Sequence, residues 1–323
     1  MGVHTVEALL RAGFRVSVLN RGKTASPFSE RPEVSHIVAD RFAERARVKR
    51  AITALGPWYA IVDFVAFAAV HARDVVLSCL LCASRPRYVY VSSDSVFMAC
   101  ERGAVDAARA DGEGLREGDA VREASRAGVA ACRRRDAYQF RYGSGKLEVE
   151  EELAAWAKRG FESTSLRLPD VFGPRDNLGG FLDLYEAVAR ASVGCHVAGV
   201  PDGAAHRASL AFAPDVASCI VTLLRNKNAA PRVLHVACRE APTVAELVAL
   251  VAEARGLERP PKLDRTRRAP LLSVDIGPLN VDAAQSALDW RPTALADAVR
   301  ATCDWYAATP DNVAYTRGLA DAT

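Results

Sequence analysis

The stretch "RYGSGKLEVEEEL" holds two side chains whose types and spacing could move a proton. Tyr142 and Lys146 lie four residues apart in a helical pattern, so both project from one face of the helix. A free tyrosine has a pKa of about 10 and is a poor base at neutral pH, but a nearby ammonium group lowers that pKa. The spacing therefore predicts Tyr142 as a general base that Lys146 assists.

A second polar group ends the apolar run in "YVYVSSDSVF". Here a predicted buried strand releases Ser92, Ser93, Asp94 and Ser95 at its carboxyl end, where open α/β sheets place their ligands. A serine hydroxyl near Tyr142 could share the substrate oxygen and steady charge as a proton leaves. A bare Tyr-x-x-x-Lys also occurs by chance in helices, with the tyrosine in the core and the lysine solvated. The order of strand, serines and Tyr-x-x-x-Lys helix is therefore the informative signal.

Strands and helices that alternate along the chain must position these side chains. The β-rich runs "FRVSVLN", "VSHIVA", "YAIVDFVAF", "PRYVYVSS" and "ESTSLRL" are mostly separated by helical patterns. Alternation of this kind indicates parallel strands with crossover helices, which predicts an α/β fold with a doubly wound, Rossmann-type parallel sheet. Residues 98–140 lack this pattern and are rich in Ala, Arg, Gly and Asp, so we predict a long solvated excursion there.

After Leu168 the elements become shorter and are punctuated by Pro and Gly. We therefore predict a division of the chain into a dinucleotide-binding domain over residues 1–168 and a smaller α/β substrate-binding region over residues 169–323.

Composition excludes several classes of protein. The formal net charge of +3, from 42 basic and 39 acidic residues, gives no single-sign field and argues against nucleic acid as the partner. The apolar runs are too short for a bilayer span, so no membrane partner is expected. The 8 cysteines are scattered through segments that read as buried, which is typical of free thiols in a reducing compartment and favours a cytoplasmic location. No ligand spacing indicates a metal site.

In the order of its motifs, the chain resembles an extended short-chain dehydrogenase/reductase, the NAD-dependent epimerase/dehydratase family, from residue 2 to about residue 308. The family's Ser-x-x-Val-Tyr matches "SDSVF", so the resemblance implies Ser93 as the catalytic serine, with Tyr142 and Lys146 as the catalytic pair. Three further stretches carry the resemblance: "RLPDVFGPRDN", "LAFAPDVASCIVTLL" and "ALDWRPTALADAVRATCDWY".

The family's phosphate loop reads Gly-Gly-Thr-Gly-Phe-x-Gly before a helix, so the resemblance places Gly2 at the last of these glycines. The first strand, expected at the centre of the sheet, and the earlier glycines would lie upstream of Met1. Their absence would weaken pyrophosphate binding. We expect a shortened gene model or a fragment, and an organellar transit peptide could also have been lost there.

The resemblance also implies which residues contact a dinucleotide. The second strand ends in Asn20 and Arg21, where an acidic residue usually takes the NAD ribose and an arginine accommodates the extra phosphate of NADP. The cofactor is thus expected to be NAD or NADP, with a slight preference for NADP, although Arg21 could be only a solvated turn residue. Asp40 resembles the acid that contacts adenine, and Ala66 the residue that lines the ribose. Leu168 lies at the cofactor edge, as do Tyr142 and Lys146.

The substrate is expected to be a small molecule: a sugar, a nucleotide sugar or a similar hydroxyl or carbonyl compound. The candidates for its binding are Ser93, Asp94, Ser95, Asn177 and Arg207, and beside them His206 and Phe181. The dehydratases of the family carry Thr-Asp-Glu at the strand end. Because this chain lacks the glutamate, simple oxidation and reduction or epimerisation is favoured over elimination.

Two other functions remain open at this stage. Relatives with "NRG" after the second strand include chloroplast stem-loop-binding proteins, which suggests a nucleic-acid-binding or regulatory protein on an epimerase-like scaffold. The retained tyrosine and lysine argue against it. A catalytically inactive fragment is the other alternative, and the family resemblance leaves a homodimer open.

Overall fold

The structure is a computed structural model that describes residues 1–110, 112–176, 178–191, 197–198, 207–228, 230–264, 274 and 276–321. Its α-helices, in chain order, are α1 (Gly2–Arg11), α2 (Arg45–Ala54), α3 (Ala69–Leu80), α4 (Arg102–Ala110), α5 (Arg126–Arg135), α6 (Ala137–Ala157), α7 (Gly180–Ala191), α8 (Ala213–Arg225), α9 (Val244–Ala254), α10 (Asp282–Leu288), α11 (Leu295–Ala308) and α12 (Pro310–Asp321). Short 3-10 helices span Asp94–Ala99 and Glu117–Asp119.

The strands alternate with these helices, as predicted. They are β1 (Val16–Asn20), β2 (Val34–Val38), β3 (Ala60–Asp63), β4 (Arg87–Ser93), β5 (Ser163–Leu168), β6 (Asp170–Phe172), β7 (Val197–Ala198), β8 (Leu210–Phe212), β9 (Val233–His235) and β10 (Leu263–Asp264). All pairings between these strands are parallel. The predicted α/β, Rossmann-type fold with parallel sheets flanked by helices is confirmed.

Strands β1 to β5 and β9 form two separate parallel sheets. One contains β1 and β2, and the other has the order β3-β4-β5-β9. Among the described residues, β1 pairs only with β2 and β3 pairs only with β4. The apolar side chains of β1 and β3 are mostly half-buried, whereas those of β4 are buried.

Both faces of the four-stranded sheet are covered by helices. Because successive side chains of a strand point to opposite faces, Tyr88 and Tyr90 pack with α3 and α6, while Val89 and Val91 pack with α8. Leu9 of α1 joins the second of these clusters. This layering fixes α6, which carries Tyr142, against one face of β4.

The prediction of a solvated excursion over residues 98–140 is wrong. Helices α4 and α5 lie there, and Val105, Leu115 and Cys132 are buried in one hydrophobic cluster. Leu115 donates its N–H to the carbonyl of Pro278 at 2.8 Å and so anchors the segment to the C-terminal part of the chain. The apolar residues that make these contacts are spaced widely between polar ones, which hides the pattern in the sequence.

Two small parallel sheets, β6 with β8 and β7 with β10, lie in the C-terminal part of the chain. Helices α7, α9 and α11 pack together in a separate hydrophobic cluster. However, β9 returns to pair with β5, and α8 covers the four-stranded sheet. The division at residue 168 therefore stays a prediction, since elements beyond it contribute to the main sheet.

Candidate active site

The carboxyl end of β4 presents Ser93. This residue caps the 3-10 helix that follows, since its Oγ accepts the N–H of Ser95 at 3.1 Å. The same Oγ lies 3.2 Å from Asp94 Oδ1 and 3.1 Å from Ser95 Oγ. A local capping turn thus holds the predicted catalytic serine at the edge of the sheet.

Helix α6 brings Tyr142 and Lys146 to this edge. The Asp136 carboxylate caps the helix by accepting the N–H of Gln139 at 2.9 Å. The Gln139 side chain in turn accepts a hydrogen bond from Ser95 Oγ at 3.0 Å. The first turn of α6 is therefore fixed to the polar residues that follow β4.

Two glycines of "YGSGK" allow this close approach. An ideal Cβ on Gly143 would lie 1.7 Å from the carbonyl oxygen of Ser95, and one on Gly145 would lie 2.4 Å from that of Phe67. Only glycine fits at both positions without a backbone shift. The sequence analysis missed these residues, although two glycines inside a helix beside a Tyr-Lys pair are a signal of close packing.

The Tyr142 phenol lies half-buried beside Ser93 and Asp94. Burial raises the pKa of Tyr142 to about 12, the Asp94 carboxyl adds to the rise, and a hydrogen bond with Ser93 opposes it. The expected lowering of this pKa by Lys146 is therefore wrong, because desolvation of the phenolate is the largest influence on it.

The Lys146 side chain is buried, and the residue is only 2% exposed. Its Nζ donates to the carbonyl of Val91 at 2.9 Å and lies 4.8 Å from the ring centroid of Phe67 and 5.0 Å from that of Tyr90. The ring centroid of Tyr142 is 5.7 Å from Nζ. Burial lowers the pKa of Lys146 to about 8, so this ammonium group loses its proton far more readily than a surface lysine.

Asp94 and Ser95, predicted to bind substrate, are both buried. Burial raises the pKa of the Asp94 carboxyl well above its usual range, and the nearby Asp170 carboxylate adds to this effect. Burial therefore favours the protonated form of Asp94 more than in an exposed carboxyl group. The Ser95 hydroxyl donates a hydrogen bond to the Gln139 side chain. Ser93, by contrast, is half-buried.

Gly2, predicted at the phosphate loop, is exposed at the start of α1, and an added Cβ would meet nothing within 4 Å. His4 Nε2 lies 2.7 Å from the carbonyl oxygen of Pro174, and Glu7 pairs with Arg175 at 2.7 Å. These contacts place the first turns of α1 beside the segment that follows β6. A helix N-terminus of this kind favours an anionic ligand.

Asn20, Arg21 and Asp40 lie at the ends of β1 and β2. Asn20 Oδ1 accepts the N–H of Gly22 at 2.9 Å, and Asp40 Oδ1 accepts that of Phe42 at 2.8 Å. The pKa of Asp40 is lowered mainly by backbone N–H groups and also by the positive charge of Arg21. An amide, a guanidinium group and a carboxylate at one edge, together with the helix N-terminus, form a donor set that fits a dinucleotide.

Ala66 and Leu168, also predicted to contact the cofactor, are buried, with 0% and 3% exposure. The Ala66 carbonyl accepts the hydroxyl of Tyr90 at 3.0 Å, and Leu168 is paired with Ser93 across β4 and β5. Both residues border the carboxyl edge, but their side chains are buried.

Arg207, also predicted to bind substrate, is engaged by other residues. Arg207 donates to the carbonyl of Ala241 at 2.8 Å and pairs with Glu246 at 3.1 Å. Asn177 and His206 lie outside the described residues. The guanidinium group of Arg207 is thus bound to α9 in this structure.

The expectation of Phe181 as a pocket wall is wrong. Its side chain is 0% exposed and stacks on Phe172 with ring centroids 4.9 Å apart. Phe181 belongs to the hydrophobic cluster formed by α7, α9 and α11.

Known proteins share both the sequence pattern and the fold of this site. Residues 126–237, which include Tyr142 and Lys146, match the model of the NAD dependent epimerase/dehydratase family. The predicted family resemblance is confirmed. No curated protein matches the sequence.

Solved structures share the fold across almost the whole chain. The UDP-glucose 4-epimerase of Thermus thermophilus, in complex with NAD, is 20% identical with a TM-score of 0.69, over 95% of each chain. The UDP-glucuronic acid 4-epimerase of Bacillus cereus, in complex with UDP-glucuronic acid and NAD, is 14% identical with a TM-score of 0.66, over 95% of this chain and 96% of its own. The dTDP-glucose 4,6-dehydratase of Bacillus anthracis, in complex with NAD, is 14% identical with a TM-score of 0.67, over 98% of this chain and 96% of its own.

The described part of the chain contains no group of His, Cys, Asp and Glu side chains arranged to hold a metal ion. Nor does any helix within the described ranges have the length and apolarity needed to cross a membrane.

Proposed function

We propose that this chain is an NAD(P)-dependent oxidoreductase or epimerase of the short-chain dehydrogenase type, acting on a nucleotide sugar or a similar small hydroxyl or carbonyl compound. One observation carries the proposal: the Tyr142 phenol lies beside Ser93 at the carboxyl end of β4, with Lys146 one helical turn further along α6. Neighbours with this fold include epimerases and a dehydratase whose structures contain NAD.

Three residues of the chain take part in the proposed proton transfer. Ser93 Oγ can donate a hydrogen bond to the substrate oxygen, and Tyr142 accepts the proton of the substrate hydroxyl in its phenolate form, the minor form of this side chain at neutral pH. Bound NAD or NADP would supply the acceptor for the hydride that leaves the same substrate carbon. Lys146, whose pKa is about 8, can exchange a proton with the site near neutral pH.

Oxidation and reduction fit the residues better than elimination of water does. Ser95 stands at the position that holds the glutamate in dehydratases of the family, and its hydroxyl is turned toward Gln139. Asp94, whose carboxyl pKa is raised by burial, lies near the phenol. The proposed reaction is therefore a reversible oxidation of a hydroxyl group, which an epimerase completes by returning hydride to the opposite face.

Arg21 and Lys23 support the proposed slight preference for NADP. Their positive charges contribute to the lowered pKa of the Asp40 carboxylate, so both lie near the end of β2. Cations at this edge would attract a phosphate group on the adenosine ribose.

The test is replacement of Tyr142 by Phe, with Tyr138→Phe as the matched control. Tyr138 lies on the same helix but is 69% exposed. We expect Tyr142→Phe to lower kcat by a factor of about 100 or more while dinucleotide affinity stays unchanged, because a general base contributes this much to the rate. Tyr138→Phe should keep full turnover. Equal turnover in both variants would rule out Tyr142 as the base.

A further inference from the structure

Helix α6 carries a third polar residue on the face that holds the proposed catalytic pair. Glu150 follows Lys146 by the same four-residue interval that separates Lys146 from Tyr142. Its side chain is buried, with a residue exposure of 6%. A buried carboxylate requires strong partners, because burial of an unpaired charge is costly.

Two side chains supply these partners. The Arg167 guanidinium group donates through Nη2 to Glu150 Oε2 at 2.7 Å and through Nε at 3.1 and 3.2 Å to the two carboxylate oxygens. Ser92 Oγ donates to Glu150 Oε1 at 2.5 Å. The Arg167 and Glu150 side chains are 4% and 5% exposed, so water screens this ion pair very little.

Arg167 is itself held on its remaining sides. Its Nη1 donates to the carbonyl of Glu117 at 2.9 Å, and its guanidinium carbon lies 5.4 Å from the ring centroid of Phe97. The Glu117 carboxylate accepts the N–H of His235 at 2.8 Å. The ion pair is thus tied to four elements: β4, β5, β9 and the 3-10 helix at Glu117–Asp119.

The partners of Glu150 stand next to site residues. Ser92 directly precedes Ser93 in β4, and Arg167 directly precedes Leu168 in β5. We propose that Glu150 is a positioning residue, which Ser92 and Arg167 clamp so that the Tyr142 and Lys146 face of α6 stays in register with Ser93. The inference rests on the proposed function, because the register matters only if these three residues act together.

The pKa of Lys146 depends on the charged groups around it, and Glu150 is one of them. The charged groups around its ammonium group are Asp63 at the end of β3, Arg41 beyond β2, and Glu150; the rings of Tyr90 and Tyr142 also face it. Asp63 is engaged by Arg41 at 2.5 Å. Burial lowers the pKa of Lys146 to about 8, whereas Asp63 and Glu150 both raise it. Loss of the Glu150 charge should therefore move this pKa further down.

The experiment follows the lysine Cε resonances of ¹³C-lysine-labelled protein by NMR as a function of pH. Lys146→Arg assigns the Lys146 signal. In Glu150→Gln the midpoint of Lys146 should fall below its wild-type value of about 8. Glu148→Gln, an exposed position on the same helix, is the matched control and should keep the wild-type midpoint. A folded Glu150→Gln protein with an unchanged midpoint would overturn the proposal.

A double variant covers the case in which Glu150→Gln fails to fold. Glu150→Gln with Arg167→Met removes both charges of the buried pair and leaves no orphaned ion. Because the two lost charges are opposite, their direct effects on Lys146 largely cancel. A shifted Lys146 midpoint in this variant therefore reports displacement of α6 and supports the proposal, and a wild-type midpoint refutes it. A merely structural pair would lower the unfolding midpoint without shifting the Lys146 titration. Because the titration needs neither substrate nor dinucleotide, its outcome stands apart from that of the proposed function.

Discussion

Burial shifts both ionisable members of the proposed catalytic pair toward their neutral forms. The pKa of Tyr142 rises to about 12 and that of Lys146 falls to about 8, because both side chains have exchanged water for apolar and aromatic neighbours. The phenolate of Tyr142 is therefore the minor form at neutral pH. Ser93 is half-buried, so a substrate oxygen could reach its hydroxyl group.

Lys146 should weaken the fold at neutral pH. Its pKa is 10.5 in the unfolded chain and about 8 in the folded one, so the unfolded chain binds more protons between these values and stability rises with pH across this window. At pH 7 we expect Lys146→Met to be more stable than wild type by an amount on the order of 3 kcal/mol. Urea unfolding at pH 7 and at pH 10 measures the difference, which should shrink as the pH rises. A gap that stays constant with pH would refute the assigned shift.

At the scale of the element, α6 is defined by how closely it approaches its neighbours. Gly143 lies against the Ser95 carbonyl and Gly145 against that of Phe67, so the helix backbone itself forms part of the wall of the site. This backbone contact places the Cα of Tyr142 at the end of β4, whichever rotamer the side chain adopts.

Gly143→Ala should therefore be destabilising despite the better helix propensity of alanine. The added methyl group would overlap a backbone carbonyl, and overpacking of this kind typically costs about 1 to 3 kcal/mol. Gly103→Ala in α4 is the control, because its Cβ would meet nothing within 4 Å. It should gain up to about 1 kcal/mol. Thermal unfolding of the two variants compares them, and equal stability would contradict the close approach.

The sequence predicts those elements whose signal is local. The β-rich runs correctly indicate β1 to β5, and the four-residue spacing correctly places Tyr142 and Lys146 on one helix face. Helix α6 starts at Ala137, ahead of the "RYGSGKLEVEEEL" stretch, because Asp136 in "RRRDAYQF" caps it.

Features that depend on distant partners could not be predicted in this way. Leu115 is fully buried only because Pro278 and the C-terminal part of the chain cover it. Likewise the pKa of Tyr142 depends on burial and on Asp94, which no spacing within α6 reveals. The ion pair of Glu150 with Arg167 joins a helix to a strand, and nothing local in the sequence selects that partner.

On the scale of the whole molecule, the sheet of β1 and β2 should be less stable than the sheet that contains β4 and β5. Strand β4 is buried and bonded on both sides, by β3 and β5, whereas β1 is bonded by β2 alone among the described strands and is largely half-buried. Amide hydrogens exchange faster where fewer buried contacts hold a segment.

Hydrogen–deuterium exchange with mass spectrometry should therefore show faster exchange in peptides from β1 and β2 than in those from β4 and β5. The buried apolar residues of β4 lie in clusters on both faces of the sheet, which ties its opening to that of the molecule as a whole. Peptides from α1 and α8 serve as internal references, since these helices pack together. Equal protection of these four strands against exchange would contradict the expected difference in stability between the two sheets.

The most direct test of the whole account is calorimetric titration of this chain with NAD and with NADP. Residues at the carboxyl edge offer a dinucleotide an amide, two cations, a carboxylate and a helix N-terminus. We predict saturable but weak binding at one site per chain, because Gly2 is the only glycine of the expected phosphate loop in this sequence. Binding should be somewhat tighter for NADP and unchanged in Tyr142→Phe. Absence of saturable binding for both dinucleotides would contradict the proposal that this chain is a dinucleotide-dependent enzyme.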